Sequence, residues 1–143
     1  MSSMEISTQQ DRLDLDLIHR YLAEQSYWAR GIPRATLEQA LRHSLCFGLY
    51  EAGRQLAFCR VITDYATYGY LSDLFVLPEA QGRGLGKALM AAVMAHPELQ
   101  GLRRFSLATS DAHGLYARFG FGAPAKPQSL MERYDPDIYL RSL

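Results

Sequence analysis

A glycine-rich heptapeptide joins two segments that have opposite backbone preferences. Residues 81–87 read Gln-Gly-Arg-Gly-Leu-Gly-Lys; they follow an apolar, strand-like stretch that ends at Leu77 and precede a strong helix former, Ala88–Ala95. Glycines at a helix start leave the first N–H groups open, and those groups have no partner within the helix. Together with the positive end of the helix dipole and the charges of Arg83 and Lys87, this arrangement favours an anion. The segment therefore predicts a strand-to-helix turn that binds a phosphate or pyrophosphate.

Six short stretches concentrate or alternate apolar residues as strands do. They are a stretch around Ile6, Cys46–Glu51, Gln55–Thr63, Tyr70–Leu77, Arg104–Thr109 and Leu130–Tyr134. Ala52-Gly53 predicts a hairpin turn between the second and third. The helix after the glycine loop predicts a crossover between the fourth and fifth. The expected order is β-α-α-β-β-β-α-β-α-β-β, which holds one strand more at its end than these six stretches, in a mixed α/β class with a central, mostly antiparallel sheet flanked by helices.

Four segments carry an apolar stripe at helical spacing. They run from Asp11 to Trp28, from a Thr36 N-cap through Leu45, from the glycine loop to about Met94, and from a Ser110 or Asp111 cap to Phe119. Gly31-Ile32-Pro33 separates the first two. Glycine at 120 can take the left-handed backbone that ends a helix. With no repeat or linker in the sequence, we expect residues 1–143 to form a single domain.

Composition excludes several classes of function. Among the 143 residues, 48% are apolar and 21% are charged, as in a globular domain, and 15 basic residues balance 15 acidic ones. Without a basic tail or patch, we expect no nucleic-acid partner. The N-terminal residues lack a signal-peptide pattern and the apolar runs are too short for a membrane span. Cys46 and Cys59 have no motif spacing, so buried free thiols and a cytoplasmic protein are expected.

Two nucleotide-binding motifs do not fit the glycine loop. A dinucleotide fingerprint, GxGxxG, counted from Gly84 requires a third glycine where Leu89 stands. A phosphate-binding P-loop, GxxxxGK[ST], requires glycine at Gln81 and serine or threonine at Ala88. Both motifs therefore fail at named residues, and a different anionic ligand is indicated.

The pattern that does match is [Gln/Arg]-x-x-Gly-x-[Gly/Ala], here residues 81–86. It resembles the acetyl-CoA-binding motif of the GNAT superfamily of N-acetyltransferases. Upstream, residues 73–79 (Asp-Leu-Phe-Val-Leu-Pro-Glu) resemble the end of that family's fourth strand. Downstream, residues 112–121 resemble its Ala-x-x-x-Tyr-x-x-x-Gly-Phe helix. The resemblance covers residues 70–122 and implies the GNAT acyl-CoA N-acyltransferase fold, with acetyl-CoA as co-substrate.

The resemblance implies a set of cofactor-binding positions. The backbone of the glycine loop is expected to hold the CoA pyrophosphate, and the main chain at the end of the fourth strand to pair with pantetheine amides. Thr109 stands where many relatives have an asparagine that contacts CoA. The expected cofactor-binding residues are Phe75, Val76, Gln81, Gly82, Arg83, Gly84, Leu85, Gly86, Lys87, Thr109 and Tyr116.

Tyr116 matches the family's catalytic tyrosine, which protonates the leaving CoA thiolate. The general base stays open. Asp73 is the one carboxylate on the strand, although strand alternation predicts that it faces away from Tyr70 and Ser72. Tyr70 or Ser72 acting through water, or ordered water alone, are alternatives. No histidine or cysteine stands at ligand spacing, so no metal is expected.

Tyr27 and Trp28 lie between the first two helices, where this family commonly shapes its acceptor pocket, and Tyr70 and Ser72 are expected to face the same pocket. The implied function is transfer of acetyl from acetyl-CoA to a primary amine, on a small molecule or a peptide, by direct attack in a ternary complex. The alternative is a non-catalytic acyl-CoA-binding or regulatory module. The neutral charge does not indicate which amine is acetylated, and a homodimer, common among relatives, stays open.

Overall fold

A five-stranded sheet forms the centre of the protein, whose computed structural model describes residues 3–142. The strands are β1 (Met4–Ser7), β2 (Leu45–Glu51), β3 (Arg54–Thr63), β4 (Tyr68–Val76) and β5 (Arg104–Ser106). They lie in sequence order, β1 to β4 antiparallel and β5 parallel to β4. The expected class, a mostly antiparallel mixed sheet flanked by helices, is confirmed.

Within the described residues, four α-helices accompany the sheet. They are α1 (Leu15–Arg20), which continues as a π-helical turn at Tyr21–Gln25, α2 (Arg34–Arg42), α3 (Leu85–Ala95) and α4 (His113–Ala117). The crossover helix α3 packs on β2, β3 and β4, and α1 packs on α2. β2 and β3 are buried at consecutive positions, so both of their faces are covered. The core therefore extends to both sides of the sheet.

The hairpin between β2 and β3 forms where the sequence predicts it. Ala52 and Gly53 have φ of 52° and 79°, the left-handed values that a type I′ turn requires at both central positions. Cys46 and Cys59, on the two strands that this turn joins, are buried free thiols, as expected. No helix within residues 3–142 is long and apolar enough to cross a membrane.

Several predicted boundaries differ from the structure. α2 begins directly after Pro33, whose fixed φ of −65° suits a helix start, and Thr36 lies inside the first turn instead of capping it. α4 likewise lacks a side-chain cap: its N-cap position is Ala112 and not the predicted Ser110 or Asp111, and the Thr109 hydroxyl accepts hydrogen bonds from the Asp111 and Ala112 N–H groups in the turn that precedes the helix. Neither helix start therefore has the side-chain cap that the sequence predicted.

The strand predicted after α4 is wrong, and the one predicted before it is shorter than expected. Leu130–Tyr134 has a strand-like pattern but forms no strand, and of Arg104–Thr109 only Arg104–Ser106 is paired. Residues 122–138 are instead an exposed, irregular segment apart from one 3₁₀ turn at Pro127–Ser129. A strand needs a neighbouring edge to pair with, and β5 is only three residues long. The observed order in the described part of the chain ends at α4.

Candidate functional site

The loop before α3 forms an open cradle of backbone groups. Gly82 and Gly84 have φ of 81° and 78°, and no atom lies within 4 Å of where a Cβ on either would stand. In the first intrahelical bond of α3, the Ala88 N–H donates to the Gly84 carbonyl at 3.0 Å, so the preceding N–H groups remain available. A cavity of about 210 Å³ lies here, lined by Val76, Ala80, Gln81, Gly82, Gly84, Leu85, Gly86, Lys87 and Leu115.

This anion cradle fits the pyrophosphate of CoA because its donors are backbone N–H groups at a helix start. Two side chains at the cradle are already engaged. Arg83 donates two hydrogen bonds to Glu51, at 2.6 and 3.1 Å, and Gln81 Nε2 donates to the Val76 carbonyl at 3.2 Å. Lys87 is exposed on the first turn of α3. The cradle therefore relies mainly on its backbone.

β4 and β5 separate after a short paired stretch. Their register covers only Tyr68↔Arg104, Gly69↔Phe105 and Tyr70↔Ser106, so β5 does not pair with the β4 edge from Leu71 to Val76. The predicted pantetheine-binding main chain, at Phe75 and Val76, lies on this edge. The Phe75 side chain is in the core, stacked on Tyr21 at 4.1 Å between ring centroids. Any contribution of Phe75 to binding therefore comes from its backbone, as the sequence suggested.

β4 contains a bulge at Asp73. Phe58 pairs with Phe75 and Arg60 pairs with Ser72, so β4 holds one extra residue opposite β3. Asp73 lies at this bulge with φ of 61°. Buried and partly exposed residues still alternate along β4, with Asp73 buried and Tyr70 and Ser72 partly exposed. The large cavity between the diverging strands borders all of residues 70–74, so it lies along this edge of β4 and Asp73 reaches it together with Tyr70 and Ser72.

A second and larger cavity, of about 620 Å³, occupies the gap between the diverging strands. It contains every predicted acceptor-pocket residue and both predicted catalytic residues. Its lining consists of Tyr27, Trp28, Tyr70, Leu71, Ser72, Asp73, Leu74, Leu107, Ala108, Thr109, Ser110, Asp111, Ala112, Leu115, Tyr116, Glu132 and Tyr134. Leu115 lines both cavities, so the anion cradle and the large cavity adjoin there.

Asp73 is held by two hydrogen bonds. Trp28 Nε1 donates to its Oδ1 at 2.8 Å, and Arg60 Nε donates to its Oδ2 at 2.6 Å. Arg60 also donates to the Ser44 hydroxyl, and the Arg60 and Asp73 side chains are only 14% and 5% exposed. The ion pair is thus largely shielded from water, and it fixes Trp28 in the cavity wall.

Tyr116 combines a buried ring with a hydroxyl that has no hydrogen-bond partner among residues 3–142. The residue is 8% exposed, yet its hydroxyl is not fully enclosed and it borders the large cavity. Burial raises the pKa of Tyr116 to about 12, with smaller contributions from nearby groups including Tyr27 and Asp111. The phenol is therefore protonated at neutral pH and can donate a proton.

The other predicted side chains have defined surroundings. The Tyr27 hydroxyl accepts the Ser110 N–H at 3.2 Å, and the Tyr27 and Trp28 rings meet edge to face at 5.0 Å. Burial is the main reason that the pKa of Tyr70 is raised, and the charges of Asp73 and Glu132 add to it. The Thr109 hydroxyl accepts a hydrogen bond from the Ala112 N–H in the turn before α4, and Thr109 also borders the cavity.

Sequence reasoning missed several residues that line or support this site, among them Arg60, Glu132 and Tyr134. Arg60 is the ion-pair partner of Asp73, and its signal was a lone charge inside an apolar strand pattern. Glu132 and Tyr134 border the large cavity, but the pattern from Leu130 to Tyr134 suggested a strand and concealed this. Within the described range 3–142, no three His, Cys, Asp or Glu side chains are grouped so that they could hold a metal ion.

Comparisons with known proteins all point to one family. The model of the acetyltransferase (GNAT) family matches residues 14–121. A crystal structure from Xanthomonas campestris pv. campestris, described as a candidate GNAT-family acetyltransferase, is 63% identical; the match covers 97% of this chain and 98% of that chain, with a TM-score of 0.94. A Gibberella zeae protein named as a candidate acetyltransferase is 35% identical, with 79% of this chain and 75% of its own length covered.

A more distant relative is named for a particular reaction. Serotonin N-acetyltransferase 2, a chloroplastic protein of Oryza sativa subsp. japonica, is 31% identical over 115 residues, which cover 76% of this chain and 56% of that protein. The family model spans well over half of the chain. This protein therefore belongs to the GNAT acetyltransferase family, whose members are acyltransferases.

Proposed function

We propose that this protein transfers the acetyl group of acetyl-CoA to a primary amine by direct attack in a ternary complex. The observation that carries the proposal is the junction at Leu115 between the anion cradle and the large cavity, with the unpaired Tyr116 hydroxyl bordering the latter. A cofactor anchored in the cradle has its reactive end near the place where an acceptor fits. The rice relative, named for acetylating an amine, supports this class of acceptor.

The anion cradle, the β4 edge and Tyr116 have separate roles in the proposed reaction. The backbone of the anion cradle, with Lys87 nearby, holds the pyrophosphate, and the open edge of β4 offers Phe75 and Val76 main-chain groups to the pantetheine arm. Acetyl-CoA supplies the activated acyl group. The acceptor nitrogen, as the free amine, forms the new bond to the acyl carbon as the carbon–sulfur bond breaks. Tyr116 donates its hydroxyl proton to the sulfur, and the proton that the acylated nitrogen then loses restores the phenol through water.

Asp73 acts as a positioning residue in this proposal. Each of its oxygens already accepts a hydrogen bond, one from Trp28 and one from Arg60. It therefore holds the cavity wall, and water at Tyr70 and Ser72 is the better candidate to accept the proton that the acceptor ammonium loses before its nitrogen attacks.

The test is CoA thiol release with a panel of primary amines, comparing the wild type with Tyr116→Phe. We expect kcat to fall roughly 100-fold or more, the usual range for loss of a general acid, with little change in acetyl-CoA affinity. Tyr65→Phe is the matched control because Tyr65 is exposed and lies outside both cavities. Unchanged turnover in Tyr116→Phe would remove the proposed acid. CoA binding without thiol release on any amine would instead favour a non-catalytic module.

A further inference from the structure

The large cavity has a one-sided charge. Its lining includes three carboxylates, on Asp73, Asp111 and Glu132, and contains no lysine, arginine or histidine from the described part of the chain. Arg60 neutralises Asp73 from behind the wall. Asp111 and Glu132 form no ion pair with any residue in the range 3–142, so their charges act on whatever enters the cavity.

Aromatic rings make up much of the remaining wall. Tyr27, Trp28, Tyr70 and Tyr134 border the space, and Tyr116 lies at its inner side with an unpaired hydroxyl. The hydrogen bond to Asp73 and the edge-to-face contact with Tyr27 fix the indole in place. Ring faces attract cations and also pack against apolar groups. The wall therefore suits a ligand that has both an ammonium group and an apolar body.

The charges of Asp111 and Glu132 act on two tyrosines of the cavity wall. The charge of Glu132 is among the causes that raise the pKa of Tyr70, after burial, and the charge of Asp111 contributes in the same way at Tyr116. An acceptor that carries its own carboxylate or phosphate would be repelled by these charges. The cavity lining would offer it no basic side chain as an ion-pair partner. A buried anion without a partner is unfavourable.

From this geometry we infer that the acceptor is a cationic primary amine on an aromatic or apolar body, without a neighbouring anionic group, and that Glu132 is a specificity-determining residue. The inference rests on the proposed function, because it identifies the substrate class of that same site. It disfavours free amino acids and phosphorylated amino sugars as acceptors. It also gives the irregular C-terminal segment a role, since Glu132 and Tyr134 both belong to it.

Trp28 provides a direct measure of binding that does not depend on turnover. It is the single tryptophan of the chain and it borders the large cavity, so its fluorescence reports what enters. The probes are 2-phenylethylamine, L-phenylalanine and 3-phenylpropanoate, which share a ring and differ in charge. Each is titrated against the protein with and without CoA, and the first two are also assayed as acceptors by thiol release.

We expect 2-phenylethylamine to bind at least about tenfold more tightly than L-phenylalanine, with 3-phenylpropanoate the weakest; tenfold corresponds to roughly 1.4 kcal/mol. Glu132→Gln is expected to reduce the preference for the amine by about threefold, a size typical of one exposed charge. Asp137→Asn, in the same segment but outside the cavity wall, should leave it unchanged.

Equal or tighter binding of L-phenylalanine or 3-phenylpropanoate overturns the inference, as does an amine preference that Glu132→Gln leaves intact. A lack of response to 2-phenylethylamine in both readouts overturns it too. The two proposals fail separately. Selective amine binding without thiol release contradicts the proposed function and supports the binding preference, whereas efficient acetylation of L-phenylalanine over the amine supports the function and contradicts the preference.

Discussion

The anion cradle and the large cavity adjoin at Leu115, yet they are built in different ways. The cradle comes from one continuous segment, and its donors are backbone N–H groups that Gly82 and Gly84 leave accessible. The cavity wall comes from side chains on β4, on the loops around residues 27–28 and 107–112, and on the C-terminal segment. The part to which we assign the cofactor is therefore local, and the part to which we assign the acceptor is assembled from distant positions.

The largest expected effect is on stability, and it comes from the ion pair that supports the cavity wall. Arg60→Met leaves the largely buried Asp73 carboxylate without its partner, so we expect the free energy of unfolding to fall by about 3–5 kcal/mol. Urea unfolding measures the loss. Arg54→Met is the control, because the Arg54–Glu79 pair is exposed and its removal should cost less than about 1 kcal/mol. Similar losses in the two variants would contradict a structural role for the Arg60–Asp73 pair.

The cradle can be tested through its backbone. In Gly84→Ala a Cβ is forced onto a residue with φ of 78°, which costs roughly 1–2 kcal/mol or shifts the loop. We expect acetyl-CoA affinity to fall about tenfold or more in calorimetry, while Trp28 fluorescence still responds to amines. Gly101→Ala imposes the same strain at φ of 77°, again in open space but outside both cavities. If both variants bind acetyl-CoA equally well, the backbone of the loop is not the anchor.

The smallest expected effect is on how stability depends on pH, through the ionisation of Tyr116. Burial raises its pKa from an ordinary 10 to about 12. Between these values the unfolded chain has lost this proton and the folded protein keeps it, so stability is fully present below pH 10 and decreases as pH rises towards 12. A difference absorbance titration, wild type minus Tyr116→Phe, should show one tyrosine ionising late. A tyrosine that ionises near pH 10 in that difference would contradict the buried environment.

Sequence reasoning was most accurate where structure depends on neighbouring residues. The hairpin at Ala52-Gly53 and the strand–glycine loop–helix unit depend on local backbone preferences, and both formed as predicted. It was less accurate where the local structure depends on a partner that is distant in the sequence. Leu130–Tyr134 has a strand pattern but no strand edge to pair with. The bulge at Asp73 depends on how β4 pairs with β3 in the folded sheet.

The sequence by itself therefore determined the fold class, the strand–glycine loop–helix unit and the family, because glycine positions and helix starts act over a few residues. Only the tertiary structure decided how the acceptor side is built. The pairing of Asp73 with Arg60 and Trp28, and the entry of Glu132 into the wall, join residues 13 to more than 100 positions apart. Such contacts depend on how strands diverge and segments fold back, which no local pattern encodes. In the proposed function, the cradle holds the cofactor and the distant contacts select the amine.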